Sequence, residues 1–216
     1  MKKSGVLMPI FSLPSPYGIG TVGRGAYEFA DYIKKSGADI WQVLPVGPTG
    51  YGNSPYQSFS SFAGNPYFID PDMLCEDDIL KKDDLPGTVP EGEKIDYGKI
   101  YFSRRKMLRS AYEYSGNRLK SETEEFLLAH PAVGDYAFFM ALKDRFKGKC
   151  YLDFPKCLVR REKSAMEKYR ALLSDEINYY VFEQYLFFSQ WKRMREYVNS
   201  IGIEIRGALP IYVAPD

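Results

Sequence analysis

Residues 51 to 57, YGNSPYQ, set two tyrosines among Asn53, Ser54 and Gln57. A sugar ring offers CH-rich faces that stack on aromatic rings and equatorial hydroxyls that pair with Asn, Ser and Gln. Tyr51, Asn53, Ser54, Tyr56 and Gln57 supply both kinds of contact, because tyrosine joins a flat apolar face to a hydroxyl. No Lys, Arg or Glu occurs between residues 51 and 70, so the segment suits a neutral ligand. A second reading stands beside this one: Tyr51 and Tyr56 close the loop over its own core, while its Gly and Pro residues shape turns.

Other residue patterns offer less. Gly18, Gly20 and Gly23 satisfy G-x-G-x-x-G, which in a dinucleotide-binding fold seats a pyrophosphate at a helix N-terminus. That fingerprint needs its first glycine directly after a strand and an acid at the end of the next one. Here PSPYG intervenes, and Asp39 begins the second strand instead of ending it. A plain Gly-rich strand-to-helix turn is the expectation. The acidic runs at 76–78 and 83–84 read as solvated charge, and Asp70 and Asp72, flanking Pro71, read as turn formers. His130 precedes Pro131 at a helix end, where a carbonyl or dipole contact is expected. One histidine and three scattered cysteines, Cys75, Cys150 and Cys157, make no ligand set for a metal, and no cofactor is expected. The odd cysteine count without a C-x-x-C pair reads as buried or free thiols in a reducing cytoplasm.

The elements that must position the loop can be read from periodicity. GVLMPIF (5–11) and DIWQVLPV (39–46) are short apolar runs bounded by Gly and Pro, as buried strands are. Between them Ala26, Phe29, Ala30 and Ile33 follow helical spacing, and Gly37 stands where a helix would stop. Strand, helix and strand predict a parallel βαβ unit. The loop leaves the C-terminal end of the second strand, where α/β proteins bind their ligands. Residues 75–96 break every period and read as a surface connection. Helical stretches are predicted at 99–129, 132–147 and 160–200. In the last, Tyr180, Phe187, Met194 and Ile201 recur every seventh residue, and Ile177, Val181, Phe188, Trp191 and Val198 widen the stripe to a broad buried face. Strand-like sequence returns at 202–205 and 209–213.

The 29 basic and 28 acidic residues nearly cancel, so the chain has no general pull toward nucleic acid or anionic membrane. The apolar run at the N-terminus is too short, and broken by Pro9, for a signal peptide or membrane span. Neither nucleic acid nor membrane is expected as a partner; the oligomeric state is left open.

WQVLPVGPTGYGNSPYQSFSSFAGNPYFID (41–70) resembles the signature of the amylomaltase family of 4-α-glucanotransferases. GVLMPIFSLPSPYGIGTVG resembles that family's opening strand and turn, and FEQYLFFSQWKRMREYVNSIGIEIRGALPIYVAPD its later helix and third strand. The resemblance implies an α/β fold, the N-terminal part of a (β/α)8 barrel of the α-amylase type with a largely helical insertion. Residues 1–74 would give the first two βα units, 75–200 the insertion, and 201–216 the third strand. It implies transfer of α-1,4-glucan segments between malto-oligosaccharides with retention, which needs two carboxyl groups about 5 Å apart. By position in the motif, Tyr56 matches the tyrosine that stacks beside the scissile bond, with Ser54 and Gln57 alongside. Tyr51 matches a tyrosine of an additional glucan groove, and Asp216 an acid reaching toward the same sugar as Tyr56.

Departures from the family pattern are specific. Where the family reads G-D before P-I-Y-V-A, this chain has Gly207 and Ala208, and its W-x-x-W-P becomes Tyr151 to Pro155. The family's catalytic carboxylates lie on later strands, so none is expected in this chain. A complete barrel takes about 250 residues, and three strands would leave apolar edges open, so a fragment is expected, inactive and prone to association. The alternative is a non-catalytic glucan-binding remnant.

Overall fold

The computed structural model describes residues 3–50, 52–89, 94–209 and 212–213. Three parallel strands form its sheet: β1 (Gly5–Leu7), β2 (Ile40–Gln42) and β4 (Glu204–Arg206), in the order β1-β2-β4. Val6, Trp41 and Ile205 share one register row across all three. Between the first two strands, α1 (Arg24–Ser36) buries Ala26, Ala30 and Ile33, and Gly37 stops it in the left-handed region at φ 78°. Glycine takes that conformation without a Cβ penalty, and Lys34 and Lys35 in the last turn complement the helix dipole. The predicted βαβ unit is present.

The strands are shorter than their apolar runs. Pro9 and Pro45 have no N–H to give a ladder, and after β1 the chain turns through one 3-10 turn, Ile10–Ser12. Trp41, completely buried, donates its indole N–H to the Met8 carbonyl at 2.8 Å, closing this corner. Trp41 and Ile205 pack into the core with Val6 half-buried beside them, whereas Leu7, Gln42 and Arg206 on the other face are exposed.

The three glycines of the fingerprint answer to packing. A Cβ on Gly20 would fall 1.9 Å from the Ile10 carbonyl oxygen, and one on Gly23 would fall 2.0 Å from Asp70 Oδ2. A carboxylate thus occupies the space before α1, held by the Thr21 hydroxyl at 2.5 Å. A pyrophosphate there would meet like charge.

The rest is helical: α2 (Pro71–Glu76), α3 (Tyr97–Ser115), α4 (Lys120–Ala129), α5 (Pro131–Arg145), α6 (Lys156–Val159), α7 (Lys163–Leu172) and α8 (Ser174–Ser200). The stretch predicted as irregular, 75–96, includes the end of α2 and a 3-10 turn at Lys82–Asp84. The first predicted helix breaks at Gly116 and Asn117, both weak helix formers, and the last breaks at Leu173, which turns inward and is buried. At 27 residues, α8 is the longest element. It packs on α3, α4, α5 and α7 and also on α1 and β4, so one helix joins the helical layer to the sheet.

All of the predicted α8 stripe is buried or half-buried, but burial extends further round the helix to Tyr179, Phe182, Glu183, Gln184 and Gln190. His130 caps α4, its backbone N–H donating to the Phe126 carbonyl at 2.9 Å, while its exposed ring packs on Phe126 at 4.7 Å and stacks on Phe188 at 5.2 Å. In the stretch Tyr151–Phe154, Phe154 is buried against Phe146, with ring centres 4.8 Å apart, while Leu152 is exposed. Ala208, past β4, is half-buried. The three cysteines are free. Among the described residues no helix is long and apolar enough to cross a membrane and no cluster of His, Cys, Asp or Glu could hold a metal.

Candidate functional site

The loop after β2 is an arch closed by its own hydrogen bonds. Asn65 donates its N–H to the Val46 carbonyl at 2.8 Å, and the Ser58 hydroxyl lies 2.7 Å from the Pro48 carbonyl and 2.8 Å from that of Ser60. At the tip, Asn53 adopts φ 55°, a left-handed conformation that asparagine tolerates. Ser54 then starts a tight turn, its carbonyl accepting from Gln57 N at 3.1 Å and its hydroxyl from Tyr56 N at 3.4 Å. Gln57 and Ser58 form β3, paired in parallel with β5 (Tyr212–Val213).

Helix α8 grips the far end of the arch. The Gln184 amide accepts from Gly64 N at 2.7 Å and donates to Gly64 O at 3.0 Å. Gln190 does the same to Asp70, at 2.7 and 3.1 Å. Each side chain thereby satisfies both backbone groups of a buried residue, groups that would be expensive to leave unpaired. Gly64 must be glycine because a Cβ would sit 1.9 Å from the Phe187 ring.

Between this arch and the helical layer lies a cavity of about 1140 Å³. Tyr97, Tyr101, Arg104, Arg105 and Leu108 face it from one side of α3; Tyr136, Met140, Lys143 and Asp144 do so from α5 and Lys147 from the turn after it, and Tyr179, Tyr180 and Glu183 from α8. Their spacing of three, four and seven is what a single helix face requires. Pro48, Gly50, Asn53, Gln57 and Phe59 close it from the arch.

Its walls are fixed by polar ties. Arg105 makes a two-pronged ion pair with Asp144, at 3.0 and 2.6 Å, and the Tyr180 hydroxyl donates to the same carboxylate at 2.7 Å. One cluster thus links α3, α5 and α8. Burial first of all raises the Tyr179 and Tyr180 phenols and pushes Tyr67 up to about 12. They therefore stay neutral hydroxyls. Burial likewise pushes the Glu183 carboxyl up to about 7, against the Tyr179 hydroxyl that donates to it at 3.4 Å. Asp144 is committed to its ion pair and Glu183 is 5% exposed, so neither is placed to attack a substrate.

Of the residues singled out in the sequence, Asn53 and Gln57 line this cavity. Ser54 and Tyr56 stand on the adjoining turn, half-buried and outside its lining. Tyr51 and Asp216 lie outside the described residues. The sequence reading missed Arg104, Glu183 and the two glutamines. A signal existed: Glu183 and Gln184 interrupt an apolar run, Tyr179 to Phe182 before and Tyr185 to Phe188 after, on a helix with almost no polar face there.

The sequence profile of the family described as 4-alpha-glucanotransferase matches residues 8–216. The 4-alpha-glucanotransferase of Clostridium butyricum is 45% identical over 212 residues, which are 97% of this chain and 44% of that protein. That of Thermus thermophilus is 41% identical over 217 residues, 98% and 43% of the two chains. The solved structure of amylomaltase from Streptococcus agalactiae in complex with acarbose superimposes with a TM-score of 0.93 at 40% identity, covering 99% of this chain and 44% of that one. The chain spans less than half the length of the relatives it matches. It belongs to the 4-alpha-glucanotransferase family.

Proposed function

We propose that this chain is the N-terminal part of a cytoplasmic 4-α-glucanotransferase, contributing to it a wall of the glucan site. In this reading β1, β2 and β4 are the first strands of a (β/α)8 barrel of the α-amylase type, residues 1–74 and 201–216 belong to that barrel, and 75–200 are the insertion. Malto-oligosaccharides and α-1,4-glucans are the substrates. The acarbose complex of the streptococcal relative supports a sugar-like ligand, and the free thiols fit a reducing compartment.

The observation that carries the reading is the tyrosine-walled cavity directly beside the turn that holds Ser54, Tyr56 and Gln57. Neutral phenols and an amide suit a polyhydroxylated ring, which stacks and hydrogen-bonds at once. Tyr56 would stack beside the scissile bond with Ser54 and Gln57 at its side; Tyr51 would guide a longer chain, and Asp216 would reach the sugar at Tyr56. The nucleophile and acid/base are supplied by sequence that the relatives have beyond the part matched here. Transfer wins over hydrolysis when a bound sugar hydroxyl excludes water from the second step.

The test is conversion of maltotriose to glucose and longer oligomers by the full gene product. Tyr56→Ala should lower kcat/KM by about 1–3 kcal/mol; an unchanged value returns Tyr56 to loop packing. The 216-residue chain alone should bind maltotriose without converting it. Conversion by that chain would refute the assignment of the carboxylates elsewhere, and binding without conversion by the full gene product would leave a non-catalytic glucan binder.

A further inference from the structure

Buried tyrosine hydroxyls ordinarily find a hydrogen-bond partner. Two that line the large cavity have none among the described residues: Tyr136 of α5, 6% exposed, and Tyr67 of the 3-10 turn Pro66–Phe68, half-buried. They are not sealed in. Among the described residues the side-chain polar atoms both sealed and unpaired belong to Thr49 and Arg104, so the Tyr67 and Tyr136 hydroxyls open on the cavity that their residues line.

Glu183 of α8 stands beside them. Burial raises the phenols of Tyr67, Tyr136, Tyr179 and Tyr180, and the Glu183 carboxyl raises each further, so one carboxyl has four phenols for neighbours, brought by three elements. It makes no ion pair among the described residues, and the hydrogen bond it accepts from the Tyr179 hydroxyl is long, at 3.4 Å. Arg105 of α3 favours its charge and Asp144 of α5 opposes it, but these two are spent on each other. Tyr101 of α3 accepts from Arg105 at 3.3 Å, and Lys143 of α5 donates to the Gly148 and Lys149 carbonyls. Burial raises the remaining phenol on α3, Tyr97. Glu183, pushed up by burial to about 7, is thus the group here that titrates near neutrality.

Open hydroxyls beside a carboxyl without a counter-ion suit a ligand that is rich in hydroxyls and carries no charge. A protonated carboxyl both donates and accepts, whereas an ionised one only accepts. A ligand that expels water from around it makes the charge costlier still, so an uncharged ligand selects the protonated form. We propose that Tyr67, Tyr136 and Glu183 form an inner subsite of this cavity that holds an uncharged sugar ring, the two phenols and the protonated carboxyl hydrogen-bonding its hydroxyls. This rests on the glucan reading above and extends it to the buried side of the cavity. Sugar affinity is then highest below pH 7 and falls above it.

Steady-state conversion of maltotriose by the full gene product at pH 6 and pH 8 tests the subsite. With the Glu183 carboxyl at about 7, KM should be about tenfold higher at pH 8, and Glu183→Gln, neutral at both, should abolish that rise. Tyr136→Phe and Tyr67→Phe should each raise KM about three- to tenfold at pH 6, the loss of one hydrogen bond, with kcat and the melting temperature nearly unchanged. A wild-type KM in Tyr136→Phe, whatever its melting temperature, would make that phenol part of the core and overturn the subsite. A rise in KM with pH that survives in Glu183→Gln would overturn it equally. Failure of the wild-type gene product to convert maltotriose at either pH would instead bring down the glucan reading, and the subsite with it.

Discussion

The sheet and the helical layer solve burial in opposite ways. In β1, β2 and β4 one row is covered only at its centre, with Trp41 fully buried and Val6 and Ile205 half-buried, while Leu7, Gln42 and Arg206 on the other face are open. In α8 the middle of the helix is covered nearly all round, and Tyr179, Phe182, Leu186, Phe187 and Met194 are each 1% exposed or less. A parallel sheet gains its stability from having both faces covered, which three short strands with one helical side do not have. The difference teaches that the helical layer is the self-sufficient half and that the sheet holds its shape by leaning on α8.

The sharpest way to break that comparison is to hollow out the helical layer. Phe182 packs edge-on against Tyr112, with ring centres 5.4 Å apart, in the middle of α8. Phe182→Ala should destabilise the chain by about 3–5 kcal/mol, and chemical denaturation should show sheet and helices lost together. Strands that persist after the helices melt would prove the sheet independent.

Next in size is a charge inside that layer. Glu183 has a folded-state carboxyl pushed up by burial from 4.5 to about 7. Between those values the folded chain holds a proton that the unfolded chain has released, so stability falls as pH rises through that window. Glu183→Gln should flatten the fall and stabilise the chain at pH 8 by up to about 3 kcal/mol. Urea titrations at pH 5 and pH 8 decide it; a variant equally destabilised at both would mean that the carboxylate is ionised and satisfied.

What the sequence disclosed follows the same division. Helix α1 and its Gly37 stop, the parallel pairing and the α8 stripe were legible because periodicity and glycine chemistry are local. Arg104, Glu183, Gln184 and Gln190 were not, because their burial depends on which elements pack over them. The fingerprint glycines were visible, but their reasons, the Ile10 carbonyl and the Asp70 carboxylate, come from distant residues. At the site, Asn53 and Gln57 of YGNSPYQ stand at the cavity, whereas of the facing tyrosines Tyr136, Tyr179 and Tyr180 only Tyr180 stood out in the sequence, and as core. Nothing in a sequence period says that a core helix turns one aromatic face toward a cavity.

The seam between the two halves offers a smaller effect. Gln184→Ala removes both partners of Gly64 and should lose about 2 kcal/mol, since two buried backbone groups go unpaired. Hydrogen exchange at Gly64 and Asn65 should accelerate more than exchange in α1. Uniform acceleration would mean that Gln184 supports the whole core and not the arch in particular.

The smallest effect belongs to the open face. Leu7 is 54% exposed on β1, so a polar side chain there loses little packing. In the isolated chain, Leu7→Ser should change stability by less than about 0.5 kcal/mol, as for other exposed positions. In the full gene product the proposed barrel would enclose this face, and the same substitution would then remove a buried leucine at about 2–5 kcal/mol. The ratio of the two denaturation results measures how much of the sheet's burial comes from outside the chain. Equal small effects would leave the sheet face open in the complete protein and break the barrel reading at its first strand.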